Sequence, residues 1–115
     1  MRQQRTEDVR RGERRPFQSD VRVSWLSRSG EMTMIRAKCI DLSEQGARIE
    51  CQQPIEPRTS VYLQAPRHGP MGNATVRFCR RKGMKHIVGL LFSAAAGEAD
   101  SGRKQLIESE LGAEK

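Results

Sequence analysis

From Ser19 onward the chain alternates between apolar and polar side chains. Val21, Val23 and Trp25 are separated by Arg22 and Ser24, the period-2 pattern of a half-buried strand. "SRSGE" reads as a turn. "MTMIRAKCI" is a second strand, with Ile35, Ala37 and Cys39 on one side. After the polar stretch "DLSEQG", Ala47, Ile49 and Cys51 alternate with Arg48 and Glu50 in a third. "QQPIEPRT" carries two prolines and should interrupt the sheet. Val61, Leu63 and Ala65 mark a fourth strand, and "PRHGPMGN" reads as a loop. "ATVRFC" is a fifth, with Ala74, Val76 and Phe78 on one face. "RRKGMK" is a basic turn around Gly83, and "HIVGLLF" is a sixth strand, covered on both faces. "SGRKQLIESELG" predicts a short helix, capped by Asp100 or Ser101 and ended by Gly112. Ile107 and Leu111 would dock it on the sheet.

Six short strands with turn signals between them suit an all-β fold, a small antiparallel barrel or sandwich. A barrel of this size is filled by its own side chains, so a ligand would bind on the outer surface. The expected organisation is a flexible arginine-rich arm over 1–17, a barrel over 18–93, and a linker with a helix over 94–115. The arm has few apolar positions, and a binding partner would order it.

Composition narrows the function. A chain of 115 residues suggests one domain. It has no apolar run long enough to cross a membrane, and its polar N-terminus lacks the apolar core of a secretory signal. A cytoplasmic location is the expectation. Cys39, Cys51 and Cys79 are widely spaced with no CxxC, so they read as small apolar strand residues rather than disulfide or zinc ligands. The net charge of +7 is uneven: 57–97 contains seven basic residues and no Asp or Glu. That excess favours an anionic partner, with a merely solvated basic hairpin as the alternative. His68 and His86 sit in no recognisable catalytic motif, and zinc-protease, serine-hydrolase and P-loop signatures are missing. The chain reads as a binding protein without a cofactor, not an enzyme.

Two polar segments remain. "RRGERRP" holds Arg10, Arg11, Arg14 and Arg15, which form two overlapping RxxxR pairs. Arginine suits phosphates through its planar fork and can stack on a base. "DLSEQG" offers Asp41, Ser43 and Gly46 between two strands, more than a simple hairpin needs. Such a turn also stabilises itself through side chain–backbone hydrogen bonds.

Together, RxxxR upstream of DxSxxG resembles the PilZ domain family, over about Arg10 to Phe92. The resemblance implies a six-stranded PilZ-type barrel that binds the bacterial second messenger cyclic di-GMP. Arg11 and Arg15 match the arginine pair, with Arg10 as an extra arginine before it; Arg10 and Arg14 have the same spacing. Asp41 would take a guanine edge, and Ser43 a phosphate oxygen unless it braces the turn. Gly46 would supply positive φ or a close approach. Strand parity adds Arg48. Signalling would run through ordering of the arm, which changes a surface for a downstream protein. Two other readings stay open: a small basic barrel that binds nucleic acid without specificity, and an adaptor that has lost its nucleotide. Few aromatics weigh against the former, and specific nucleic-acid recognition is not expected.

Overall fold

The six alternating segments are six strands. In this computed structural model, which describes residues 18–94 and 100–108, they close into an antiparallel barrel. In chain order the strands are β1 (Ser19–Leu26), β2 (Met32–Leu42), β3 (Gly46–Cys51), β4 (Ser60–Ala65), β5 (Gly69–Lys82) and β6 (Lys85–Phe92). Around the barrel they run β1-β2-β3-β6-β5-β4, and β4 pairs with β1 to complete the ring. The inward side chains are small or β-branched and form one core, including Val21, Val23, Ile49, Leu63, Val76 and Val88. Cys39 and Cys51 belong to it and Cys79 packs against it, as expected of small apolar residues. Trp25 and Ile35 cover its edge.

Four expectations need correction. First, "PRHGPMGN" is mostly strand: the turn is 66–68, and β5 starts at Gly69. Its glycines are there for geometry. Gly69 and Gly72 have φ of 118° and 108°, beside an irregularity that inserts Met71 as an extra residue opposite Leu63 and Gln64. Second, "RRKGMK" is largely paired backbone, with Lys82 opposite Lys85 and only Gly83 and Met84 at the tip. Third, Phe78 does not share the core face with Ala74 and Val76, because an extra residue, Arg77, intervenes. Fourth, Gly46 opens β3 without positive φ. Its role is therefore not a left-handed turn.

The C-terminal helix α1 (Ser101–Leu106) closes one end of the barrel against the start of β5. Leu106 is fully buried in the core, and Ile107 packs beside it. Leu111 and Gly112 lie outside the described residues. Asp100 occupies the cap position but makes no capping hydrogen bond. Its carboxylate instead accepts from Nη2 of Arg103 at 3.2 Å. Arg103 is buried over the Phe92 ring, 3.9 Å from its centroid, and donates to the Ala94 carbonyl at 2.7 Å. No described helix is long and apolar enough to cross a membrane.

Helix and strand touch backbone to backbone. A Cβ on Gly102 would overlap the Gly69 carbonyl oxygen. Gly102→Ala should therefore undock α1 and cost roughly 1–3 kcal/mol, the usual penalty of forcing an extra carbon into a packed site. Urea unfolding would measure it, and an unchanged midpoint would contradict this contact. A second expectation concerns Cys51. Burial pushes its thiol from 9.0 up to about 11. The fold then keeps a proton that the unfolded chain releases, so stability is unaffected below pH 9.0 and falls as pH rises toward 11. Cys51→Ala should remove that part of the alkaline loss in a pH series of melting curves.

Candidate functional site

The DLSEQG segment is a tight, self-bonded corner. The Ser43 N–H donates to the Gly46 carbonyl at 2.9 Å. The N–H groups of Gln45 and Gly46 donate to Ser43 Oγ, each at 3.3 Å. Phe92 donates its N–H to the Gln45 carbonyl at 2.8 Å and ties the corner to β6. Ser43 thus braces the turn, one of its two anticipated roles.

Just before this corner, β2 carries a bulge. Cys39 pairs with Ile49 and Asp41 with Arg48, so Ile40 is an extra residue. Without it, Asp41 would fall on the inward side with Ala37 and Cys39. With it, Leu42 turns inward and Asp41 turns to the outer wall. Bulges re-aim side chains in this way.

A second bulge does the same across the wall. Val76 pairs with Leu90 and Phe78 with Gly89, leaving Arg77 as the extra residue on β5. Phe78 turns outward, and its ring lies on Gly89, where a Cβ would overlap it. Arg48 also pairs with Gly89, from the other side. The two bulges therefore flank one lateral row across four strands: Asp41, Arg48, Gly89, Phe78.

This row floors an open groove of about 420 Å³, which Arg77 and Leu91 also line. Arg48 donates to Asp41 Oδ2 through Nε at 2.8 Å and lies 2.7 Å from it through Nη2. The Asp41 side chain is 4% exposed and that of Arg48 is 43% exposed. The carboxylate is thus covered by a guanidinium that itself faces solvent. The Arg80 guanidinium carbon sits 5.5 Å from the Phe78 ring centroid. Chemically, the groove offers an aromatic face, a cationic side and a buried acceptor.

Of the residues anticipated from sequence, Asp41 and Arg48 meet directly, and Ser43 and Gly46 shape the adjoining corner. Arg10, Arg11, Arg14 and Arg15 lie outside the described residues. Their segment joins the barrel close by, because Ser19 pairs with Cys39, two positions from Asp41. Arg15 is four positions before Ser19 in the sequence, a span of at most about 14 Å. Sequence reasoning missed Phe78, Gly89, Arg77 and Leu91. His68, in the β4–β5 turn, and His86, opposite Cys51, take no part in the groove.

The sequence model of the PilZ domain matches residues 8–109 of the 115. The chain belongs to the PilZ family. No curated protein matches the chain. PilZ domains are binding and adaptor domains rather than enzymes, and the family is in general one of cyclic di-GMP receptors. In this PilZ barrel the DxSxxG positions are those that carry the corner and the acid of the row.

The Asp41–Arg48 contact should be measurable. Because Arg48 is half exposed, solvent screens the pair, and Arg48→Ala should cost only about 1–2 kcal/mol, chiefly by removing the guanidinium that covers the Asp41 carboxylate. A double-mutant cycle with Asp41→Ala in urea should return a positive coupling, and strict additivity would refute the contact.

Proposed function

We propose that this PilZ domain binds cyclic di-GMP on its outer wall and carries no catalytic activity. The observation that carries the reading is the lateral row, in which two bulges bring Asp41, Arg48, Gly89 and Phe78 together beside the entry of the arginine segment. Each component has a chemical counterpart in the ligand. Phe78 gives a purine a flat apolar face, and Arg48 and Arg77 can reach phosphate or stack on a base. Asp41 accepts from the N–H edge of guanine once Arg48 shifts toward the ligand phosphate. Arg11 and Arg15, with Arg10 and Arg14 beside them, supply forks for the remaining phosphate oxygens. Binding would settle the arginine segment against the wall and so present a new surface to a downstream protein.

Calorimetric titration with cyclic di-GMP tests this, with GTP and a short oligonucleotide as controls. Saturable binding of cyclic di-GMP alone is expected. Arg11→Ala/Arg15→Ala should abolish it, and Phe78→Ala should weaken it by about tenfold, the equivalent of one lost stacking contact of 1–3 kcal/mol. Gly89→Ala should mimic Phe78→Ala, since its methyl displaces the ring. No heat with cyclic di-GMP would sink the proposal. Heat with the oligonucleotide that vanishes in salt would replace it with nonspecific nucleic-acid binding.

A further inference from the structure

At the end of the barrel remote from α1, the wall is incomplete. β2 pairs with β1 from Met32 onward but with β3 only between Lys38 and Leu42. Residues 32–36 thus have one backbone edge that no described strand covers. Unpaired N–H and C=O groups in a row form a template for another strand, and proteins normally guard such edges with charge, proline or a bulge. The outer face here is apolar instead. Met32 and Met34 are 66% and 60% exposed, and Leu26, directly across from Met32, is 62% exposed.

In the same face, Arg22 stands directly opposite Arg36. Like charges at that spacing destabilise a strand pair. Among the described residues neither arginine forms an ion pair, and Asp20, two positions from Arg22, is held by Lys38 at 2.8 Å. Asp20 acts on Arg36 only at longer range, so among the described residues neither arginine has a carboxylate in contact, and the face is complementary to added acidic groups.

We propose that this edge receives an extended segment of a partner protein, alternately apolar and acidic, which adds to β2 as a further strand. Backbone hydrogen bonds to 32–36 hold it. Its apolar side chains meet Met32 and Met34, whose flexible thioethers adapt to different shapes. A carboxylate in register with Arg36 relieves the Arg22–Arg36 repulsion through a bidentate contact. Charge disfavours a second copy of this chain, which would bring more arginines to the face. The open backbone row disfavours an anionic bilayer, which has no strand to pair with it. The site lies at the opposite end of β2 from Asp41 and does not require nucleotide.

The test uses the full isotope-labelled chain and a short peptide alternating valine with glutamate. A matched peptide with lysine in place of glutamate, phosphatidylglycerol vesicles and a concentration series of the protein alone run beside it. Saturable binding of the glutamate peptide alone is expected, with amide shifts and slowed hydrogen exchange centred on residues 32–36. Arg36→Glu and Met34→Glu, both at exposed positions, should each weaken it by about tenfold or more while leaving the remaining spectrum intact. Equal binding of both peptides, shifts centred elsewhere, or no binding would overturn the proposal. So would vesicle binding or self-association through this edge in place of peptide binding.

Discussion

Strand parity governs this molecule. In a narrow closed barrel every second side chain must enter a core with no spare room, and the others must stay out. A one-residue change of register exchanges the two sets. The chain uses that rule twice. The extra residues Ile40 and Arg77 send Asp41 and Phe78 to the outer wall, where both belong to the row through Arg48 and Gly89. The groove is thus a product of backbone register, and its floor is as rigid as the sheet that forms it.

That origin explains the chemistry of the row. A carboxylate on the outer wall can be shielded without entering the core, because Arg48 covers it from the neighbouring strand. An aromatic ring can lie flat on the wall because its neighbour, Gly89, has no side chain. The result combines a covered acid, a half-exposed guanidinium and an open ring within one lateral row. Each lies on a strand, so their backbone spacing is fixed in advance, and only the Arg48 side chain would have to swing to meet a ligand.

Much of the fold was legible because period-2 alternation is explicit in "VRVSW", "ARIEC" and "VYLQA". What failed, failed at the breaks in that alternation. Extending the inward series Ile35, Ala37, Cys39 would place Asp41 in the core. Extending Ala74, Val76, Phe78 would place Arg80 there. A charge on the buried parity is the signature of a bulge, and both bulges could have been found by that conflict. "PRHGPMGN" misled for another reason. Its glycines and proline look like loop punctuation, yet Gly69 makes room for the start of the helix and Gly72 for the Asp100 carboxylate, neither of which sequence alone brings near. Leu106, which the sequence reading did not single out, anchors that helix in the core, because the close approach at Gly102 fixes which turn faces inward. At the site, Asp41 and Arg48 were legible from motif and parity, whereas Phe78 and Gly89 required knowing which strands are neighbours.

The plug formed by α1 has a consequence for how the protein is made. β1 pairs at once with β2, but its second edge waits for β4, made in the middle of the chain. β5 and β6 then complete the wall, and Leu106 is made only after all six strands. During translation the barrel therefore passes through a stage with every strand made and one mouth still apolar and uncovered. A ribosome stalled before Leu106 would carry a chain in that state, attractive to chaperones and proteases alike. Only once Leu106 has docked is that mouth hidden.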